Sequence, residues 1–275
     1  MFTARAGFGN PVAVVLDAEG LDDAEMARFA NWTNLSETTF VLPATEAGAD
    51  YRVRIFTPTE ELPMAGHPTL GTCRALVDLG VIEDRGHWVQ DCGAGLIEIR
   101  RSEDGALRFR APEPVVSAAP IELDALRRVL GGAVPADPML IEVGPRWLTG
   151  RLDLDDLDDL RIDPVDFLRT LPPKLAVGIT LYAVDDEQTV HVRSFFDGGG
   201  VLTEDPVCGS GNAAVGVHRL RTSGPADRPA AYSARQGRHR GRDGRIQVTL
   251  PGDGDGERVW VGGPAVTVIT GTVEG

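Results

Sequence analysis

The sequence predicts an α+β protein of two similar halves, in each of which a β-sheet curls around one central helix. Short alternating or β-branched runs separated by Gly, Pro, Asn and Asp recur from end to end, which is the pattern of strands and turns. One motif occurs twice: Glu61-Leu-Pro-Met-Ala-Gly-His67 and Glu204-Asp-Pro-Val-Cys-Gly-Ser210 share the frame E-x-P-x-small-G-polar. Each copy follows a similar strand, VRIF from Val53 or VRSF from Val192, and precedes a small-residue run, PTLGTCRALVDLG or GNAAVGVHRLRTSG, that reads as a helix. Such self-similarity signals a duplicated unit.

Taken in order, Phe8 to Pro11 is a turn and VAVVL a strand. So few residues precede the turn that a first strand clipped at its start is expected. Asp22 to Trp32 has helical spacing, with Ala24, Met26, Ala27 and Ala30. Asn34 to Leu42 is a loop entering a β-branched strand, Tyr51 to Phe56 alternates as a strand, and Thr57 to Pro63 is its loop. Pro68 suits a first helical turn, where its missing N–H is not needed. Behind it Leu70, Gly71, Cys73, Ala75 and Leu76 make a small apolar helix fit for the inside of a sheet. Trp88 to Arg110 reads as hairpin strands turning at Glu103-Asp-Gly105.

The proline-bearing run Ala111 to Pro120 changes the rhythm and places a boundary between halves 1–115 and 116–275, with the C-terminal tail able to pack back on the first half. Helix Glu122 to Leu130 and strand Leu140 to Val143 follow. The acidic LDLDDLDDLRID segment then reads as a solvated helix or loop face, and it lacks the central glycine of a calcium loop. Next come helix Pro164 to Thr170, strand Val177 to Val184 in the place that Thr38 to Leu42 takes in the first half, the strand around Val190, and the second motif copy. After its helix, 225–228 reads as loop, Tyr232 to Gln236 and Arg245 to Leu250 as strands, 252–256 as an exposed turn, and VWVGGPAVTVITGTV as a closing hairpin.

Composition excludes several functions. A formal charge of −14 over 275 residues opposes binding to nucleic acid and anionic membranes. No apolar run reaches the ~18 residues of a spanning helix. With no signal-peptide pattern, and with three cysteines that cannot all pair, a soluble cytoplasmic protein is expected. Lys174 is the only lysine and sits in PPKLA, so a P-loop is absent and a pyridoxal Schiff base has little support. The five histidines form no HExxH and no Cys/His pair at ligand spacing, so no metal site is expected.

The chemistry-bearing residues cluster at the two motif copies. In the second, Asp205, Cys208 and Ser210 stand before a Gly209-Ser-Gly211 helix start, where unpaired N–H groups and the helix dipole can hold a carboxylate or a developing oxyanion. A plain capped loop is the bland alternative. In the first copy, His67 precedes its helix and reads equally as a cap or packing residue and as a ligand contact. Cys73 reads as a buried small hydrophobe, Cys92 is given no role, and Glu37, at a strand entrance, is on its own more simply a solvated acid.

Six segments, in order, resemble the PhzF-like phenazine-biosynthesis family: GNPVAVVLDA from Gly9, NLSETTFV from Asn34, RIFTPTEELPMAGHPTLGT from Arg54, FF…EDPVCGSGNAAVG from Phe195, QGRHRGR from Gln236 and VWVGGPAV from Val259. The resemblance implies a diaminopimelate epimerase-like fold and an active site in the cleft between the two pseudo-symmetric domains. It further implies a homodimer, a small carboxylate-bearing substrate, and no metal or organic cofactor. By the same resemblance Glu37 of NLSET is the catalytic acid/base, joined by His67 of AGHP and Asp205 of EDP. Gly66, Cys208, Gly209, Ser210 and Gly211 become substrate contacts. Such a carboxylate, shielded from water, can remove a carbon-bound proton and return it elsewhere while neighbouring donors steady the enolate-like charge.

Two departures bear on the chemistry. The wider fold's epimerase uses a cysteine at both helix entrances, whereas here the positions are Ala65 and Cys208, so a two-thiol racemisation is unavailable. Cys208 stands where the phenazine enzyme has threonine, either as an inert small residue or as an acid, and its place at a helix start favours the thiolate. The leading expectation is a cofactor-independent isomerase. The alternatives are a one-thiol racemase or epimerase pairing Cys208 with Glu37, and a binding protein that has lost the chemistry.

Overall fold

The computed structural model describes residues 1–224, 229–252 and 256–273. The readings of 225–228 as loop and of 253–255 as turn lie outside the described residues. Contacts divide the chain into two compact units, Met1–Phe109 with Gly262–Gly275, and Arg110–Val261.

In the first unit the elements are β1 (Ala13–Val15), α1 (Asp23–Thr33), β2 (Thr38–Leu42), β3 (Tyr51–Phe56), β4 (Glu61–Leu62), α2 (Gly66–Asp78), β5 (His87–Cys92), β6 (Gly95–Arg101) and β7 (Leu107–Arg110). The strands lie in the order β1-β2-β3-β5-β6-β7, with β4 on β3. Helix α1 starts on a capping box, in which the Asp22 carboxylate accepts from Glu25 N and Glu25 reaches back to Asp22 N. Its Met26 and Ala30 pack on Phe40 and Phe56, which meet edge to face at 5.5 Å. Helix α2 buries Gly66 through Cys73 and Leu76 against β1 and β2. A helix buried nearly all round must carry small residues and pair its polar ones, as PTLGTC does, with Thr69 accepting from Gln90 and Thr72 bonded to Thr39.

The second unit runs β8 (Val115–Ala118), α3 (Leu123–Val129), β9 (Ala136–Glu142), β10 (Arg146–Arg151), α4 (Leu154–Asp158), α5 (Pro164–Thr170), β11 (Gly178–Val184), β12 (Val190–Asp197), β13 (Leu202–Asp205), α6 (Gly209–Thr222), β14 (Ala231–Gln236), β15 (Gly244–Thr249) and, leading back to the first unit, β16 (Trp260–Gly263). Its sheet order is β8-β9-β10-β11-β12-β14-β15, with β13 on β12. Helix α6 is buried from Gly209 to Leu220 and touches β9, β10, β11 and β15. A Cβ on Gly216 would stand 3.0 Å from Val248 Cγ1 and 3.3 Å from Val259 Cγ1, so the missing side chain lets the sheet close on the helix. Outside the sheet, α3 and α5 bury Leu126, Val129, Phe167 and Leu171 against Leu148, Ile179 and Leu181.

The duplication extends to strand register. The run β1-β2-β3-β5-β6 pairs parallel, antiparallel, parallel, antiparallel, and β10-β11-β12-β14-β15 repeats that series. Ile55 faces Leu62 and Phe56 faces Glu61 in one unit; Ser194 faces Asp205 and Phe195 faces Glu204 in the other. Even the side-chain chemistry recurs. Arg54 grips Glu61 with two bonds (2.8 and 2.7 Å) and lies over Phe56, while Arg193 grips Glu204 (2.9 and 3.0 Å) and lies over Phe195.

Three sequence expectations are corrected. The Thr57–Pro63 loop contains β4, a two-residue strand too short to show periodicity. In the acidic segment the aspartates other than Asp158 face solvent, but Leu152, Leu157 and Leu160 are core residues rather than part of a solvated face. No closing hairpin forms: after β16 the described chain is irregular, because Pro264 has no N–H for a ladder, and Val268, Ile269 and Val273 are left exposed. Among the described residues no helix is long and apolar enough to cross a membrane.

Candidate active site

In the first unit three separate sequence motifs meet. Glu37 ends the loop into β2, where its carbonyl accepts from Ala13 N (3.4 Å) and fixes the backbone beside β1. His67 lies in the first turn of α2, behind Ala65, whose methyl cannot cap the helix. The imidazole Nε2 stands 3.3 Å from Glu37 Oε2 and 3.2 Å from the Pro11 carbonyl. Its Nδ1 is 3.3 Å from Asn10 Nδ2.

These contacts set the tautomer. Ser36 Oγ donates to Asn10 Oδ1 (3.0 Å), which leaves the Asn10 NH2 facing the ring, so Nδ1 accepts and Nε2 carries the hydrogen. Burial pushes the His67 pKa down to about 3, so the ring is neutral near pH 7. The one ring N–H goes to the Pro11 carbonyl, and the Glu37 carboxylate stands 3.3 Å away as a close contact to a neutral ring and not as an ion pair. Glu37 is far from the solvated acid its strand-entrance position suggests, with only 16% of its side chain exposed.

The second unit builds a different helix entrance. Cys208 is the N-cap of α6, its sulfur accepting from Gly211 N at 3.2 Å and lying 3.6 Å from Ser210 Oγ. Ser210 Oγ accepts from Trp147 Nε1 at 3.1 Å. Gln236, at the end of β14, is the hub: its Oε1 accepts from Cys208 N (3.1 Å) and Asn212 Nδ2 (2.8 Å), and its Nε2 donates to Ser194 Oγ and Asp205 O. A Cβ on Gly211 would lie 2.8 Å from Ser194 Oγ, so this crowded turn takes glycine only.

Asp205 is a partly exposed residue at the end of β13, yet the groups around its carboxyl strip enough water to push its pKa up to about 6, against the hydrogen bonds from Cys208 and Val207 N (2.9 Å). The expected Cys208 thiolate is corrected. Loss of solvation, with the Asp205 charge next, raises the thiol well above its ordinary range, and the helix-start donors are too weak to reverse this. Cys73 behaves as read, fully buried with its thiol pushed up to about 12 by burial.

The structure thus gathers Glu37, Gly66 and His67 at one helix entrance and Asp205, Cys208, Gly209, Ser210 and Gly211 at the other. Sequence reading passed over Asn10, Ser36 and Gln236, although all three sit inside the quoted motifs. Trp147 lies in none of them; only its place on β10, opposite Gly178 in parallel register, brings it to Ser210. Among the described residues no group of three or more His, Cys, Asp or Glu is placed to hold a metal ion.

Two curled units, each wrapped on a helix with a polar entrance, define a fold shared with epimerases: a hydroxyproline epimerase from Agrobacterium vitis superposes with a TM-score of 0.57 at 15% identity, covering 88% of this chain and 78% of that one. Closer likeness narrows the class. The PhzF-family phenazine biosynthesis protein of Bacillus anthracis superposes with a TM-score of 0.82 at 26% identity over 95% of this chain and 92% of that one. Residues 1–271 match the model of the PhzC-PhzF family of phenazine biosynthesis-like proteins, and the chain belongs to that family. Relatives include the antisense-enhancing sequence 1 protein of Schizosaccharomyces pombe (34% identical, 98% of this chain and 95% of that protein) and the trans-2,3-dihydro-3-hydroxyanthranilate isomerase of Pseudomonas fluorescens (33% identical, 96% and 94%).

Proposed function

We propose that this protein is an isomerase that moves a proton between two carbons of a small carboxylate-bearing substrate, with Glu37 taking and returning the proton. The carrying observation is a mostly shielded Glu37 carboxylate 3.3 Å from a His67 ring that Asn10, Ser36 and the Pro11 carbonyl hold in place. This arrangement sets a shielded carboxylate beside a histidine that stays neutral and keeps its own proton. Such a carboxylate is a competent proton acceptor. The isomerase named among the relatives supports the same class. Asp205 and Ser210, with the Gly66 and Cys208–Gly211 turns, belong to the proposal as substrate contacts. So do independence of metals and organic cofactors, and a cytoplasmic homodimer.

The test uses trans-2,3-dihydro-3-hydroxyanthranilate, the substrate in that relative's name, in deuterium oxide. Wild-type protein is expected to turn it over with solvent deuterium entering the product. Glu37→Gln should lose about 10²–10⁴ in turnover with an unchanged circular dichroism spectrum. Near-normal turnover in the variant sinks the assignment of Glu37. No turnover by wild type moves the search to other small carboxylates, scored by solvent exchange. Dialysis against a chelator is expected to leave turnover intact, and light scattering to give a dimer mass.

A further inference from the structure

A cavity of about 130 Å³ lies in the second unit beside the QGRHRGR segment, which the proposed chemistry leaves unused. In a chain of formal charge −14 its wall is strongly basic: Arg193, Arg235, Arg238 and Arg242, with His191 and His239. The two acids on the wall are already engaged, Asp158 by Arg238 and Asp243 by Arg245 at 3.3 Å. Arg193 is spent on Glu204 and on the carbonyls of Leu157 and Leu160. That leaves Arg235 and Arg242 as the uncompensated charges. Arg242 Nε is moreover a buried donor with no acceptor among the described residues. A buried N–H without an acceptor is costly, and an anion in the cavity would supply one.

We propose that this cavity binds a phosphate-sized oxyanion, held by Arg235 and Arg242. Guanidinium groups match the spaced oxygens of phosphate and of phosphomonoesters, and the volume admits one such group. His239 fits the assignment: burial, then the field of Arg193, opposed by Glu204 and reinforced by Arg238 and Arg161, holds its imidazole below the ordinary range. The cavity also shares Gln236 with the α6 entrance, so one side chain borders the anion and anchors Cys208 N.

The test is a melting series with inorganic phosphate, sulfate and 2-glycerophosphate at roughly 10 mM against chloride of equal ionic strength, where one occupied site gives a rise of about 2 °C or more. Phosphate and sulfate are expected to raise Tm where chloride does not, and the added response to 2-glycerophosphate tells a free ion from an esterified one. Arg242→Gln and, separately, the more exposed Arg235→Gln should abolish the rise, while Glu37→Gln should keep it. Phosphorus NMR line broadening on wild-type protein gives a readout independent of the variants' stability. No rise and no broadening with any of the three oxyanions, or a rise that survives both arginine substitutions, overturns the site.

Discussion

Glu37 and Gly178 occupy the same register position in the two units. Thr38 is paired with Ala13 on β1 and Phe56 on β3; Ile179 is paired with Leu148 on β10 and Phe195 on β12, and the residue before each is Glu37 or Gly178. The duplicated frame thus offers two places for a carboxylate and fills one. At the other, a Cβ would sit 2.0 Å from the Phe195 carbonyl oxygen and 2.9 Å from the Trp147 ring, the same indole that donates to Ser210. Gly178→Ala is expected to cost at least about 1–3 kcal/mol, since backbone must move to admit the methyl. Urea unfolding measures it, and an unchanged midpoint would remove the steric account of why the second position has no acid.

The recurrent arginine–glutamate grips give a matched pair of experiments. Arg193 and Glu204 expose only 9% and 12% of their side chains, whereas Arg54 and Glu61 expose 19% and 42%. Removing one partner of a buried pair strands a charge, so Arg193→Met should cost about 3–5 kcal/mol. The wetter pair is screened, and Arg54→Met should cost about 1 kcal/mol or less. Equal losses in denaturant titrations would show that burial is not what distinguishes them.

Much of this was legible in the residues. The E-x-P-x-small-G frame announced two copies of strand, loop and helix, and the structure repeats them to the individual cross-strand partner. Glu37, His67 and Asp205 carry recognisable motifs because their neighbours are constrained by backbone geometry as well as by chemistry. What could not be read was long-range: β4 is two residues long, the alternation in VTVITGTV implies a strand that finds no ladder after Pro264, and Trp147 reaches Ser210 only through sheet register. The Cys208 state failed for an energetic reason. Local sequence shows the helix start that favours a thiolate and hides the burial that opposes it.

The two perturbed groups pull stability in opposite directions with pH. Unfolded chain protonates His67 below about 6.5, while the folded chain resists until about 3, so the unfolded state binds more protons in that window and stability falls as pH drops through it. The full effect is on the order of 5 kcal/mol. Asp205 is the reverse: its carboxyl is held up to about 6, so its stabilising share is complete below about 3.8 and is lost as pH rises through 6. Partial exposure limits it to about 1–2 kcal/mol. Relative to wild type, His67→Gln should flatten the decline between pH 6.5 and 4, and Asp205→Asn should gain stability at pH 8 but not at pH 4. Curves parallel to wild type in both variants would contradict the burial argument.

Cys208 provides the sharpest contest between a helix start and desolvation. Cys73, Cys92 and Cys208 are all free and buried, and burial raises each thiol, with the Asp205 charge adding to the effect at Cys208. A raised thiol holds less thiolate at pH 8, so each cysteine should be alkylated by iodoacetamide more slowly in native than in urea-unfolded protein, and Cys73, with its thiol pushed up to about 12, at least ~100-fold more slowly. Mass spectrometry of the modified peptides assigns the rates to each cysteine. The sulfur's structural part is the bond from Gly211 N, which a hydroxyl can take over: Cys208→Ser should keep the melting temperature, and Cys208→Ala should lose about 1 kcal/mol with the cap. Rapid native alkylation at Cys208, while Cys73 and Cys92 stay protected, would mean that the helix entrance stabilises the thiolate after all and would return that residue to the list of candidate nucleophiles or bases.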